Sequence, residues 1–384
     1  MDEQAAGRIR VGMIGAGPTG SWAAAAHLPA LARLDGFAVT AVATTREATA
    51  REAAAAFGAA HAFTDAAALA GCAEVDLVVV SVKAPGHAEA VSAALAAGKH
   101  VLCEWPLGVD AGEAARLAGD AAAAGVVTAI GLQGYHSPSV RYVRDLIAEG
   151  RIGRVEAVAA VIPGDPLGGG AIPASLAWGT DPGKGNTLLS IMGGHALAVL
   201  EHMAGRLTEV SAVLANLHER VLVTETGESV ANSAPGQLAL AGRTADGAVV
   251  SVSVQGGSST AGPDAFFIRV SGTEGALIIT PDKPGTYPHW TDLSILLTRP
   301  DGTRTSLAVP ERYRLVPGDL PPGPAVHVAA LYREVGQAIA EGRPAHPDFA
   351  AALRHHRLLA AIEQACATGT RRIVEDEEPR GERS

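Results

Sequence analysis

The chain has little that would support covalent, metal or membrane chemistry. Its 384 residues include three cysteines, Cys72, Cys103 and Cys366. They form no pair motif and no metal-ligand spacing, so a reducing, cytoplasmic setting is expected. No His/Cys/Glu cluster has zinc spacing, so no metal site is expected. Gly-x-Ser-x-Gly is absent, which leaves a hydrolase nucleophile elbow without support. No apolar run reaches the roughly 18 residues of a membrane helix, and Met1-Asp2-Glu3-Gln4 is polar and acidic, unlike a secretion signal. Charged residues are 18% of the chain and the formal net charge is −10, which argues against nucleic acid or an anionic membrane surface as a partner. Lysine is scarce: Lys83, Lys99, Lys184 and Lys283 are the only four. There is no internal repeat.

What is present is apolar. Hydrophobic residues make up 48% of the chain, enough for two cores at about 150 residues per domain. Up to about Gln133, short apolar runs alternate with alanine-rich helical stretches, which implies a doubly wound parallel sheet. Expected strands are Arg10–Ile14, Ala38–Ala43, His61–Phe63, Leu77–Val82, His100–Cys103 and Val127–Leu132. Expected helices are Ser21–Leu34, Glu47–Phe57, Ala88–Ala97 and Ala111–Ala124, with Asp65 and Asp110 as N-caps. The texture changes after Tyr135. Helices at Ser139–Glu149 and Leu188–Met203, strand-like runs from Val155 to Thr298, and closing helices at Ala325–Glu341 and Phe349–Thr368 predict an α+β domain. Its large open sheet is expected to be a mostly antiparallel meander. The expected division is 1–133, 134–372 and a polar tail at 373–384.

Chemistry concentrates in the first domain. Gly15-Ala16-Gly17-Pro18-Thr19-Gly20 follows an apolar strand and opens a helix, the setting in which G-x-G-x-x-G cradles a dinucleotide pyrophosphate. The helix N-terminus adds N–H donors and partial positive charge. Where many NAD-binding units place a carboxylate after the second strand, this chain reads Thr44-Thr45-Arg46. Two hydroxyls and a guanidinium suit a 2′-phosphate, so NADP is expected in preference to NAD. The fourth strand ends in Ser81-Val82-Lys83-Ala84-Pro85-Gly86-His87. That edge of an open sheet carries ligands, so Val82, Lys83 and His87 are candidates for the nicotinamide side, with helix capping as the other reading of His87.

Gly98-Lys99-His100-Val101-Leu102-Cys103-Glu104-Trp105-Pro106-Leu107 resembles the fifth-strand motif of the Gfo/Idh/MocA oxidoreductases, which usually read Glu-Lys-Pro there. The resemblance covers nearly the whole chain, including Gly272-Thr273-Glu274-Gly275 and Ala351-Ala352-Leu353-Arg354. Leu132-Gln133-Gly134-Tyr135-His136-Ser137-Pro138, Gly20-Ser21-Trp22-Ala23 and Gly194-His195 are similar to the branch that contains the galactose-pathway co-repressor. The resemblance implies a Rossmann first domain, with Glu104 and a cis-linked Pro106 shaping the turn beside the nicotinamide ribose and Gln133 reaching the ring. It places Trp105 at the usual catalytic lysine; an indole lacks that charge and proton, but offers a face for stacking. In the second signature, Asp-x-Gly-x-His, Ile191 stands for the Asp and Ala198 for a further Asp, which leaves His195 as acid/base. Lys83 or Lys184 is the candidate replacement for the missing cation.

The expected function is hydride transfer between a nicotinamide and a sugar, sugar-derived or cyclic polyol carbinol. The alternative is a dinucleotide-binding regulator without turnover. Trp178 and Tyr287 are candidates to stack on a sugar, and His355-His356 is expected to face solvent. The Ala248–Val254 run is expected to leave a sheet face exposed for a homodimer or homotetramer.

Overall fold

The computed structural model describes residues 7–257, 265–282, 290–316, 318, 320 and 323–375. The chain divides into two compact units. One holds residues 1–138, 289–292 and 310–353; the other holds 139–288, 293–309 and 354–384. The division expected near residue 133 is therefore interrupted. The closing stretch from 310 to 353 joins the N-terminal unit rather than the second domain.

In the first unit, strands β1 (Ile9–Ile14), β2 (Phe37–Ala43), β3 (His61–Phe63), β4 (Leu77–Val80), β5 (His100–Glu104) and β6 (Thr128–Gly131) form one parallel sheet in the order β3-β2-β1-β4-β5-β6. Helices α1 (Leu28–Leu31), α2 (Glu47–Phe57), α3 (Ala66–Ala70), α4 (His87–Ala96) and α5 (Ala111–Ala124) alternate with them. All of β4 is buried, as strands covered on both faces require. Val11, Met13, Leu77, Val79 and Leu102 pack against the small faces of Ala23, Ala26 and Ala30, and alanine lets helix and sheet approach closely. The helix expected from Ser21 does not begin as an α-helix. A π-helical stretch, Ala23–His27, precedes α1.

In the second unit, α6 (Pro138–Ala148) leads to β7 (Val155–Pro163) and β8 (Ala171–Ile172), and a π-helical stretch at Leu189–Gly193 leads into α7 (Gly194–Ala204). Strands β9 (Leu207–Ala215), β10 (Arg220–Val223), β11 (Ser229–Ala231), β12 (Gln237–Thr244), β13 (Val249–Gln255), β14 (Phe267–Gly272), β15 (Gly275–Pro281), β16 (Leu293–Thr298) and β17 (Arg304–Leu307) follow. Helix α8 (Pro324–Glu341) lies in a stretch of the first unit; α9 (Phe349–Thr368) and β18 (Arg372–Ile373) close the described chain. Nine strands form the large sheet, ordered β17-β16-β15-β14-β7-β13-β12-β9-β18, and β11-β10-β8 form a small one.

The large sheet is mostly antiparallel but is not a simple meander. The early strand β7 sits in its middle, parallel to β13 and antiparallel to β14. Along β13 the buried residues are Val250, Val252 and Val254, while Val249 and Ser251 are exposed. The open face is thus not the valine run itself but a carpet of small residues such as Ala239, Ala241 and Ser211, with Val213 and Val249 standing on it. The expected tail at 373 begins two residues too early, because Ile373 still pairs with β9 and the Val374 N–H donates to the Thr208 carbonyl. Residues 376–384, and Tyr287 among the sugar-stacking candidates, lie outside the described residues.

Asp110 caps α5 by accepting from the Glu113 backbone N–H at 2.8 Å, and Glu113 in turn accepts from Val109 at 2.9 Å. Asp110→Ala is expected to lower stability by about 1 kcal/mol, read as the urea midpoint. Val213→Ser on the open face is expected to change it by less than about 0.5 kcal/mol.

Candidate functional site

The glycine turn that leaves β1 is stitched to its neighbours on both sides. The Gly15 N–H donates to the Ala43 carbonyl at the end of β2, and the Ser81 N–H donates to the Ile14 carbonyl, both at 2.9 Å. Gly15 has φ +88°, and a Cβ there would collide with the Ser81 carbonyl, so only glycine fits. Ser21 donates to the Gly17 carbonyl at 2.6 Å and accepts from the Ala24 N–H at 3.1 Å, which holds the loop closed at its far end. Thr19 and Gly20 are exposed at its tip, and Gly17 and Pro18 are half-buried. A glycine turn between a parallel strand and the helical stretch that follows is the place where dinucleotide-binding units receive a pyrophosphate.

After β2, the Thr44 hydroxyl donates to the Arg46 carbonyl at 3.0 Å and pairs with Thr49 at 2.7 Å. Thr44 therefore shapes the turn, while Thr45 and Arg46 are exposed beyond it. No carboxylate occupies this turn, which reads Thr44-Thr45-Arg46 before α2 begins at Glu47.

Three polar side-chain atoms next to the strand exits are buried without a hydrogen-bond partner among the described residues. They are the indole Nε1 of Trp22 after the β1 turn, the Ser81 hydroxyl after β4 and Oε1 of Gln133 after β6. Buried polar atoms are rarely left unpaired unless a ligand or water completes them. One donor, one donor-acceptor and one acceptor fit the hydroxyls and carboxamide of a nicotinamide riboside. Sequence reasoning named Gln133 as a candidate but not Trp22 or Ser81; the place of Ser81 directly after β4 was the available signal.

His87 is buried with Nδ1 2.6 Å from the Pro106 carbonyl and Nε2 3.0 Å from the Val82 carbonyl. Burial pushes its pKa down, against the pull of those carbonyls. A neutral ring can donate to only one of these carbonyls at a time, but it stands between the two, so His87 brackets the β4 exit and the Trp105–Pro106 turn. The Trp105–Pro106 peptide is cis and Trp105 is buried. Val82 is half-buried and Lys83 exposed beside it. Glu104 carries a network that the sequence did not disclose: His27 Nε2 lies 3.0 Å from Oε1, and His27 Nδ1 lies 2.8 Å from the Tyr332 hydroxyl.

The C-terminal unit contributes a separate environment. His195 is buried near the start of α7. Desolvation, reinforced by nearby His355, lowers its pKa to about 3. His355 Nε2 lies 2.7 Å from the Gly194 carbonyl and Nδ1 3.4 Å from Glu201. The expectation that His355 and His356 face solvent is thus wrong: both are buried, as are Leu358, Leu359 and Ile362. Helix α9 is covered on most of its circumference, so adjacent positions are buried although they point to different sides. Lys184 does not turn inward. It is exposed, in a short 3-10 turn, with Nζ 4.0 Å from Asp181. The Trp178 indole is tied to the Ser175 carbonyl at 3.0 Å, anchoring its own loop. Among the described residues no His/Cys/Asp/Glu group is arranged to hold a metal ion, and no helix is long and apolar enough to cross a membrane.

The depressed pKa of His195 has a sign that can be measured. The unfolded imidazole takes a proton near pH 6.5, while the folded one refuses it until about 3. Its contribution to stability is complete above 6.5 and is lost as pH falls between those values. A His195→Gln variant lacks this loss. Chemical denaturation at pH 6, 5 and 4 should show the variant gaining on the parent by about 1.4 kcal/mol per pH unit; parallel curves would contradict the assignment.

Residues 9–132 match the family described as an oxidoreductase family with an NAD-binding Rossmann fold, and residues 138–281 match the Gal80p C-terminal domain. The dTDP-3,4-didehydro-2,6-dideoxy-alpha-D-glucose 3-reductase of Streptomyces violaceoruber is 30% identical over 342 residues, spanning 88% of this chain and 90% of the relative. The galactose/lactose metabolism regulatory protein GAL80 of Saccharomyces cerevisiae is 28% identical over 315 residues, spanning 78% of this chain and 71% of the relative. Among solved structures, levoglucosan dehydrogenase in complex with NADH and L-sorbose has a TM-score of 0.84 at 20% identity, covering 97% of this chain and 100% of that one, a likeness of fold. With the glycine cradle, the Glu104-Trp105-Pro106 turn and these matches in hand, the chain belongs to the Gfo/Idh/MocA oxidoreductase family, in the branch whose C-terminal domain is of the Gal80p type.

Proposed function

We propose that this protein is an oxidoreductase that moves a hydride between a nicotinamide coenzyme and a carbinol or ketone carbon of a sugar or sugar-derived substrate. The observation that carries the reading is the set of buried, unpartnered polar atoms of Trp22, Ser81 and Gln133, which follow β1, β4 and β6 of the parallel sheet. In this reading Gly15, Gly17, Pro18, Thr19 and Gly20 hold the pyrophosphate. Thr45 and Arg46 meet the adenosine ribose or its 2′-phosphate, and Gln133 orients the carboxamide. Glu104, Trp105 and Val82 line the riboside end, with Lys83 as a cation on the same sheet edge. A bound nicotinamide supplies the hydride donor or acceptor. The carbohydrate-like substrate class is supported by the reductase relative, whose name states a deoxysugar.

His195 is the group proposed to take or return the hydroxyl proton. With a pKa of about 3 it is uncharged at neutral pH and weakly basic. Such a base is inadequate for an unactivated alcohol. It suffices once hydride departure has turned the hydroxyl into that of a protonated carbonyl, a strong acid. Proton and hydride movements are therefore expected to be coupled. The same weak basicity, together with the uncharged indole of Trp105, favours one rival: a coenzyme-binding regulator without turnover, as the GAL80 relative's name describes for that protein.

An absorbance assay for reduced nicotinamide over a panel of sugars, deoxysugars and polyols separates the two. Turnover is expected, and His195→Ala should lower kcat by about 10²–10⁴-fold with coenzyme affinity unchanged. Coenzyme binding without turnover on any substrate would favour the regulator. Arg46→Ala should weaken NADP binding by about tenfold, as loss of one charge-assisted contact implies, and leave NAD binding within about twofold. We also propose that the small-residue face of the large sheet pairs two copies of the chain. Light scattering should give a dimer or a multiple of it; a monomer alone would exclude that pairing.

A further inference from the structure

The Glu104 carboxylate is fixed more firmly than a strand-end side chain needs to be. It lies across the backbone of Gly131 in β6, where a Cβ would come within 2.6 Å of Oε2. On its other side stands His27, itself fully buried and backed by the fully buried Tyr332. The hydrogen bonds are complete with a single ring proton. The phenol donates to Nδ1, which leaves the proton on Nε2 to donate to Glu104. Burial pushes the Tyr332 phenol well above its ordinary range, so it stays a donor. Two donors in series thus point at one carboxylate. Among the described residues Glu104 has no ion pair with lysine or arginine, and His27 meets it as a hydrogen-bond donor. Its side chain remains 13% exposed at the carboxyl end of β5, between the exits that carry Ser81 and Gln133.

We propose that Glu104, oriented by His27 and Tyr332, sets the redox preference of coenzyme binding by favouring the oxidised nicotinamide over the reduced one. The inference rests on the coenzyme reading above. An oxidised nicotinamide ring carries a positive charge and a reduced ring carries none. A fixed negative charge a few ångströms away, shielded from water, strengthens the first and is indifferent to the second. Glu104 is a specificity-determining residue in this account. His27 and Tyr332 are positioning residues that act through it.

The test is calorimetric titration of the full chain with NADP⁺, NADPH, NAD⁺ and NADH at fixed ionic strength. Glu104→Gln should weaken binding of the oxidised forms by about tenfold, a plausible value for loss of one partly screened charge pair. The reduced forms should stay within about twofold. Tyr332→Phe is a nearly isosteric second variant that keeps the carboxylate but removes the donor that fixes the His27 tautomer. It should move the oxidised-to-reduced ratio in the same direction, by about threefold. Equal weakening of both forms in the two variants would mean a structural role and overturn the proposal while leaving the coenzyme reading intact. If the parent chain binds none of the four, the coenzyme reading fails and this inference with it.

Discussion

The passage of Gly15 over the Ser81 carbonyl sets the geometry on which the rest of the first unit depends. No side chain fits between them, so the exits of β1 and β4 are held at backbone contact. Ser81 donates back to Ile14, and Gly15 donates to Ala43. Three neighbouring strands therefore end in one plane, with their loops fanned along a single edge. Of the unpartnered buried polar atoms, Ser81 lies at this contact, Trp22 follows the β1 turn, and Gln133 follows β6 two strands farther along the same sheet. A sheet whose exits were staggered would scatter the same side chains.

Elements with strong local punctuation were legible in the sequence. Helices α2 and α5 fall at their expected bounds, Glu47–Phe57 and Ala111–Ala124. Each ends on a glycine in the left-handed region, Gly58 and Gly125, and α5 begins on its capping Asp110. The parallel strands were visible as unbroken apolar runs because both faces are covered. What failed was long-range pairing. The placement of β7 beside β13 depends on partners almost a hundred residues apart, and a local alternating pattern looks the same in a parallel and an antiparallel neighbour. The strands β8, β10 and β11 are two to four residues long, too short for a period-2 pattern to stand out, so they read as loop.

The candidate site was legible where backbone does the work and obscure where side chains do. Gly15, Gly17 and Gly20 announce themselves by spacing. His27 does not: it is one polar residue in an alanine-rich helix, and its partner Tyr332 is 305 positions away. His87 was ambiguous by sequence, and the two backbone carbonyls on either side of it lie far from it in the local pattern. His195 was singled out by motif as a candidate, but its environment was not legible. The depression of its pKa comes from burial and from His355, a residue that sequence alone assigned to the surface.

Both units open a helix with a π-helical stretch, Ala23–His27 in one and Leu189–Gly193 in the other. In each case a histidine stands at the junction with the α-helix. A π-turn carries one residue more than an α-turn, which shifts the angular phase of everything on one side of it by about 100°. In the first unit the surplus residue lets Ser21 face the glycine loop while His27 faces the interior. In the second, the Gly194 carbonyl at the junction accepts a side-chain bond from His355. Deleting one residue within either stretch would therefore remove the surplus and close an ordinary α-turn with both flanks facing as they do, whereas a deletion elsewhere in the same helix would act as a rotation of one flank against the other.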